Sequence, residues 1–423
     1  MYKKTVLDDG VRIVTDREEH SRLVAVGIWV DVGSRDEHDL NSGCAHFVEH
    51  MFFKGTASRT PQQIAKELDG LGGTANAFTA KETTCFYATV LDRQLEAAVD
   101  LLADMFFDSL FLQEEVVRER QVILQEIGMV EDTPDDHIHD LFAALLWGNH
   151  PLGKSILGSR EVVAAMDAAK LLDYINRLYI PERVLIAAAG NVDHDEFVRL
   201  WERKLATAPA FRARRGRSMP LRQRPGRTKA QRAVYSRDLE QVHLMLGTYG
   251  VAADAPERYA FLLLNVLLGG NMSSRLFQEI REKRGLAYSV YSYINSYLDC
   301  GNLAIYLGVD PETLNESLAL VLKETGRLRH EAIPEEELAN AKDFVTAGLY
   351  LSAENMEAIM TRIARNEMTF GRDISLEEMV VEVEGVKGEE ISGLAESLFG
   401  GRELTVGALG PIDADEIDWS SLG

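Results

Sequence analysis

Residues 43–55, Gly43-Cys44-Ala45-His46-Phe47-Val48-Glu49-His50-Met51-Phe52-Phe53-Lys54-Gly55, decide how the rest of the chain is read. The segment from Ser42 to about Lys54 reads as a helix. His46 and His50 are four apart and share one face, about one turn from each other. Two imidazoles so placed can bind one divalent ion. Glu49 is three residues from His46, on nearly the same face, and can reach a water on that ion without being a ligand itself. The competing reading is that both histidines are ordinary core or surface groups, since five common residues meet this pattern by chance in some proteins. Met51, Phe52 and Phe53 read as core.

A metal site needs a third ligand, and the helix predicted over Gln113–Val130 offers Glu114, Glu115, Glu119 and Glu126. Glu119 and Glu126 are seven apart, two turns along one face, so one can ligate while the other orients a histidine from behind. Glu126 interrupts the apolar run Val122-Ile123-Leu124 and Ile127-Gly128-Met129, and an acid there needs a partner. Glu114 and Glu115 are explained by the helix dipole alone. Zinc suits two imidazoles plus one carboxylate with a fourth position open to water. Bound zinc brings the pKa of its water toward about 7, and a carboxylate base can then take the proton. His-x-x-Glu-His is the inverted zincin signature.

Outward from the motif, residues 3–34 alternate apolar and polar, with Asp9-Gly10 as a turn, and Val11–Val14 and Leu23–Val32 read as the strands of a hairpin. Pro61–Leu71 reads as a helix ending at Gly72-Gly73. Thr74–Phe78, Thr83–Val90 and Arg183–Ala189 read as strands. Arg93–Phe107 and Asp195–Leu205 read as helices. Ala208–Arg232 has three prolines, two glycines and eight arginines, and reads as a linker, neither strand nor helix. Beyond it the pattern recurs. Phe86–Asp92 precedes a helix with Leu95 and Leu101-Leu102, and Leu303–Asp310 precedes one with Leu314 and Leu318. Glu114-Glu115-Val116 opens one long helix, and Glu336-Glu337-Leu338 opens its counterpart. The chain therefore reads as two related α+β halves of about 200 residues, 1–207 and 233–423, joined by a basic linker at 208–232.

The net charge of −22 excludes nucleic acid as a natural partner. The eleven Lys/Arg between Arg203 and Arg232 face no acid within that stretch, so the remainder is more negative still. Such a body attracts cationic ligands, and it also keeps a protein soluble. Without aromatic interleaving, the basic segment does not read as a nucleic-acid arm. Cys44, Cys85 and Cys300 are far apart and read as small buried hydrophobes, not as a disulfide or thiolate zinc set. No apolar run approaches the roughly 18 residues that span a bilayer. The N-terminus shows no signal or transit pattern, and the expected location is the cytoplasm. Asp135–Asp140, with His137 and His139, reads as an exposed helix start after Pro134. Gly269–Ser274 lacks the Gly-Lys-Ser/Thr ending of a phosphate loop and reads as a flexible turn.

With these segments in hand the sequence resembles the M16 (pitrilysin/insulinase) peptidase family, nearest to the β-subunit type of mitochondrial processing peptidase and bacterial members of about this length. The matching segments are Gly43–Gly55, Gly73–Phe78 (GTANAF), Glu119–Glu131 (ERQVILQEIGMVE), His150–Gly158 (HPLGKSILG) and Met272–Tyr288 (MSSRLFQEIREKRGLAY), which span both halves. The interval from His50 to Glu126 also follows the family's ligand pattern.

The resemblance implies a zinc endopeptidase with His46, His50 and Glu126 as ligands, one Zn2+ per chain, and Glu49 as catalytic base. It implies a supporting acid at Glu119. It also implies an edge strand at Asn76, Ala77 and Phe78 on which an extended peptide pairs, and an Arg281–Tyr288 pair whose phenol stabilises the oxyanion. Ordinary packing is the plainer reading of that pair. The implied fold is two LuxS/MPP-like metallohydrolase halves forming a clamshell around a chamber, and short members commonly pair two chains, so a homodimer is expected. The second half has no His-x-x-Glu-His, and Ala341 and Gly348 stand where its counterpart helix would carry acids. Substrates are expected to be peptides or unfolded, presequence-like segments, basic ones favoured by the charge. The alternative is a non-catalytic peptide-binding or partner subunit of the same fold.

Overall fold

A computed structural model of the 423-residue chain describes residues 1–218, 221–226, 229–401 and 404–422. Met219, Pro220, Arg227 and Thr228, four positions of the predicted linker, lie outside the described residues. The chain divides into two compact units. Unit 1 comprises Met1–Gly128, Lys154–Arg222 and Leu351–Ile374, and unit 2 comprises Met129–Gly153, Gln223–Tyr350 and Ser375–Gly423.

In unit 1, β1 (Tyr2–Val6), β2 (Arg12–Arg17), β3 (Leu23–Val30), β4 (Thr74–Thr79), β5 (Thr84–Leu91) and β6 (Val184–Gly190) form a sheet in the order β1-β2-β6-β3-β5-β4. In unit 2, β7 (Arg232–Ser236), β8 (Val242–Gly250), β9 (Ala287–Ser296), β10 (Gly301–Val309) and β11 (Thr405–Gly410) follow the order β7-β11-β8-β10-β9. With β1 set aside the wiring is the same. β2 runs parallel to β6 as β7 does to β11, and the remaining pairs are antiparallel in both. The repeat read from sequence is thus a repeat of topology.

The early helices are α1 (Cys44–Met51), α2 (Pro61–Gly70), α3 (Leu95–Asp108), α4 (Gln113–Asp132), α5 (Pro134–Trp147), α6 (Arg160–Ala164), α7 (Ala168–Leu178), α8 (His194–Ala206) and α9 (Pro209–Arg212). The later ones are α10 (Arg258–Leu268), α11 (Leu314–His330), α12 (Glu335–Ser352), α13 (Met356–Phe370), α14 (Leu376–Gly385) and α15 (Gly388–Phe399). None is long and apolar enough to cross a membrane among the described residues.

Each sheet is covered on both faces. In unit 1 the inward side chains of β3, β5 and β6, including Val26, Ile28, Ala88 and Ile186, pack with Phe47 and Val48 of α1 and Val99 of α3. The opposite face, with Val14, Trp29 and Leu185, is covered by Ile359, Met360 and Ile363 of α13. In unit 2 the corresponding faces are covered by α10, α11 and α15 on one side and by Ile138, Phe142 and Leu146 of α5 on the other.

Several sequence expectations need correction. Asp9-Gly10 is a turn, but it joins β1 to β2. Strands β2 and β3 are not a hairpin, because β6 lies between them and pairs with both. β6, Val-Leu-Ile-Ala-Ala-Ala-Gly, is buried at every position and satisfies its backbone only with a strand on each edge. The linker is not featureless, since α9 opens it and β7 begins at its last residue, Arg232. Two of its arginines are held in place: Arg214 donates to the carbonyls of Ile175 and Tyr179, and Arg222 is bidentate on Asp36 at 3.0 and 2.7 Å. The start of α5 is not simply exposed, because His139 bonds the hydroxyls of Tyr293 and Tyr291 at 2.9 and 3.0 Å. Cys44 and Cys85 are buried, whereas Cys300 is only half-buried.

Candidate metal centre

Helix α1 is entered through Gly43, whose φ of +90° is left-handed and whose missing Cβ would lie 2.6 Å from the Leu157 carbonyl oxygen. Gly43 offers no side-chain cap. The buried Glu37 carboxylate accepts instead from the Gly43 and Ala45 N–H groups, at 2.8 and 2.6 Å. Cys44, Ala45, Phe47, Val48 and Met51 are buried, which leaves His46, Glu49 and His50 on the other face.

The histidine rings meet edge to face, with centroids 4.6 Å apart. Glu126 of α4 faces both, its Oε2 lying 3.8 Å from His46 Nε2 and 3.6 Å from His50 Nε2. One ligand atom from each of these residues lies within 4.8 Å of the others. Among the described buried side-chain atoms without a hydrogen-bond partner are His46 Nδ1 and Glu126 Oε2. A buried carboxylate oxygen without a donor, facing two imidazole nitrogens, fits a cation at their common centre better than it fits a hydrogen-bond network.

Two turns back along α4, Glu119 is 6% exposed. Its Oε2 accepts from His50 Nδ1 at 3.1 Å and its Oε1 pairs with Lys54 Nζ at 2.8 Å. The bond at Nδ1 leaves His50 Nε2 toward Glu126. Burial, reinforced by the neighbouring His50, holds His46 down to about 4, so it is a neutral imidazole at ordinary pH. Burial also acts on His50 in the same sense, but the Glu119 hydrogen bond and the carboxylates of Glu126 and Glu49 raise it overall. Glu119 resists its own burial through His50 and Lys54 and stays below its ordinary value. Glu49 is raised by burial, opposed by a hydrogen bond from the Thr79 hydroxyl at 2.5 Å.

Asn76, Ala77 and Phe78 lie on β4, the outer strand of the unit 1 sheet, which pairs only with β5 among the described strands. Phe78 packs on Trp29 at 5.6 Å and Tyr87 at 6.3 Å between ring centroids. In unit 2, the Arg281 guanidinium lies 5.0 Å from the Phe277 ring centre and 4.9 Å from that of Tyr288, which is 79% exposed. Arg281 sits in the π-helical turn Phe277–Glu282.

Sequence reading missed Glu37, Lys54 and Thr79. Lys54 had the clearest signal, four residues after His50 on the same helical line. Thr79 follows Phe78 and shares the period-two face of Ala75 and Ala77. Glu37 lies before the helix and gives no local signal.

The class this geometry defines is a two-part α+β protein whose first unit gathers His46, His50 and Glu126, from helices α1 and α4, into a group that could hold a metal ion. Comparison with known proteins gives the family and the fold. Residues 12–160 match the family model described as insulinase (peptidase family M16), and residues 165–345 match that described as peptidase M16 inactive domain. An uncharacterized zinc protease of Bacillus subtilis, YmxG, is 40% identical over 399 residues, covering 94% of this chain and 96% of that protein. An uncharacterized zinc protease of Streptomyces coelicolor is 38% identical, covering 97% and 90%. Two solved structures share the fold at 21% identity with a TM-score of 0.88. One is a protease from Helicobacter pylori, covering 97% of this chain and 99% of that one, and the other is a peptidase M16 inactive domain from Pseudomonas fluorescens, covering 98% and 99%. The chain belongs to the M16 peptidase family.

Proposed function

We propose that the chain is a zinc-dependent endopeptidase that cuts peptides or unfolded, presequence-like segments, with one Zn2+ held by His46, His50 and Glu126. The observation that carries this reading is the convergence of those three donors within 4.8 Å, with Glu126 Oε2 left unpartnered. When bound, the ion supplies Lewis-acid polarisation of the water and of the scissile carbonyl.

The chain's own groups do the rest. Glu119 holds the His50 imidazole by its Nδ1–H, and Lys54 balances the charge of Glu119. Glu49 lies on the same helix face without occupying a ligand position. It takes the proton of the attacking water and hands it to the leaving amine nitrogen. The edge of β4 that pairs with no strand among the described residues offers backbone groups at Asn76, Ala77 and Phe78 to an extended substrate, which would displace the Asn76 Oδ1 that accepts from the Ala77 N–H. We assign the exposed Tyr288 hydroxyl to oxyanion donation, with Arg281 holding its ring. The reading includes a preference for basic peptides, consistent with the acidic chain, and a cytoplasmic homodimer as the working form.

The test is metal content and hydrolysis of an unstructured peptide by the isolated chain, before and after chelation. Glu49→Gln should keep one zinc per chain and lose about 10²–10⁴-fold in kcat. A wild-type chain that binds zinc and peptide without cutting would favour the partner-subunit reading. A chain that binds no zinc would end both the metal assignment and the proteolysis built on it.

A further inference from the structure

Glu49 is the one acid of α1, beside the candidate metal ligands, and among the described residues a single side chain from another element touches it at hydrogen-bond distance. Thr79 is the last residue of β4, opposite Thr84 of β5. Strand periodicity puts it on the face shared by Ala75 and Ala77, which pack against the core containing α1. From there its hydroxyl donates to Glu49 Oε2 at 2.5 Å. The next residue turns the chain back into β5, with Ala80 N–H bonded to the Thr83 carbonyl, so Thr79 sits where β4 is held at its end. It is half-buried and β-branched, with restricted χ1 freedom.

We infer that Thr79 is a positioning residue that fixes the Glu49 carboxylate from the strand on which substrate is proposed to pair. The inference rests on the endopeptidase reading and adds a residue and a coupling to it. One strand then has two tasks. Its outer backbone edge takes the peptide, and the hydroxyl at its end sets the oxygen that handles the proton. With the Thr79 donor on Oε2, the carboxylate is restricted to one orientation, and Oε1 is left for the water. Without that bond Glu49 can rotate about its side-chain torsions, and the proton-transfer geometry is reached less often.

The experiment compares Thr79→Val, which keeps shape and β-branching but has no donor, with Thr79→Ser, which keeps the donor and loses the methyl. In the zinc-loaded full chain, Thr79→Val should lower kcat on the order of 10–100-fold with KM and zinc content unchanged, and Thr79→Ser should return kcat to within a few-fold of wild type. Crystal structures of both variants provide a readout independent of turnover. Glu49 should leave its wild-type rotamer in Thr79→Val and keep it in Thr79→Ser. Wild-type kcat in Thr79→Val, or a rise in KM alone, overturns the inference, as does equal loss in both variants. If wild type binds zinc and does not cut, the proposed function falls, and the Glu49 rotamers still decide the role of Thr79.

Discussion

Helices α4 and α12 occupy equivalent places in the two units, and they differ where chemistry would require it. Both carry consecutive glutamates in their first turn and follow the helix after the equivalent strand. In α4 the inward positions include Glu119, buried beside His50 and Lys54. In α12 the matching position is Ala341, 4% exposed and packed in an apolar core. Glu126 has Gly348 as its counterpart. The helices that follow β3 and β8 differ in the same way. α1 carries two histidines and a glutamate on eight residues, whereas α10 is Arg-Tyr-Ala-Phe-Leu-Leu-Leu-Asn-Val-Leu-Leu, with seven of its residues buried. The same sheet wiring thus supports a polar centre in one unit and an apolar core in the other, and a few side chains account for the difference.

The most direct way to break the comparison is to make α4 resemble α12. Glu126→Ala removes the donor that faces both histidines. Peptide hydrolysis should fall on the order of 10³-fold or more, with zinc lost on dialysis, because two imidazoles alone leave the ion open to competing ligands. Hydrolysis with zinc retained would show that the third donor comes from elsewhere.

A reciprocal exchange at the buried position is the next largest effect. Ala341→Glu buries a carboxylate among the apolar residues packed around Ala341 and should cost about 3 kcal/mol of stability, read by denaturant unfolding. Glu119→Ala in α4 should leave the fold in place and weaken zinc binding about 10–100-fold, read by chelator competition, because His50 loses the acceptor that orients it. If both substitutions cost the same stability and neither changes zinc affinity, Glu119 is a structural acid and the contrast between the helices is not functional.

The comparison also shows which features a sequence can carry. The motif was legible because helical periodicity puts His46, Glu49 and His50 on one face, and because Glu126 stands among apolar neighbours. The repeat was legible because each unit spells strand, helix and Glu-led helix in the same order. The insertion of β6 between β2 and β3 was not, since pairing partners some 170 residues apart leave no local trace. Nor was the placement of α5 in unit 2 and α13 in unit 1, because an amphipathic helix shows that it is covered but not by which sheet. The basic segment read as a linker, whereas Arg222 is half-buried and paired with Asp36 and Asp31. The contact of Thr79 with Glu49 needed the strand and the helix to be brought together first.

The last prediction concerns how α1 begins. α10 starts without a side-chain cap and is held by its apolar residues. α1 is shorter and depends on Glu37, whose two oxygens accept from its first turn. Burial pushes the Glu37 carboxyl up to about 8 against the pull of those two N–H groups. In the unfolded chain the same group titrates near its ordinary value, about 4.3. Between these values the folded state holds a proton that the unfolded state has released, so the stability contribution is complete at low pH and declines as pH rises toward 8. Glu37→Gln cannot titrate. The stability of wild type relative to this variant should therefore fall by about 1 kcal/mol per pH unit across the middle of that window. Denaturant unfolding of both proteins at pH 5, 6, 7 and 8 gives the difference, in which the other titrating groups cancel. A difference independent of pH would mean that the Gly43 and Ala45 N–H groups hold Glu37 ionised throughout. The start of α1 would then be an ordinary charged cap, and the contrast with α10 would reduce to length and hydrophobicity.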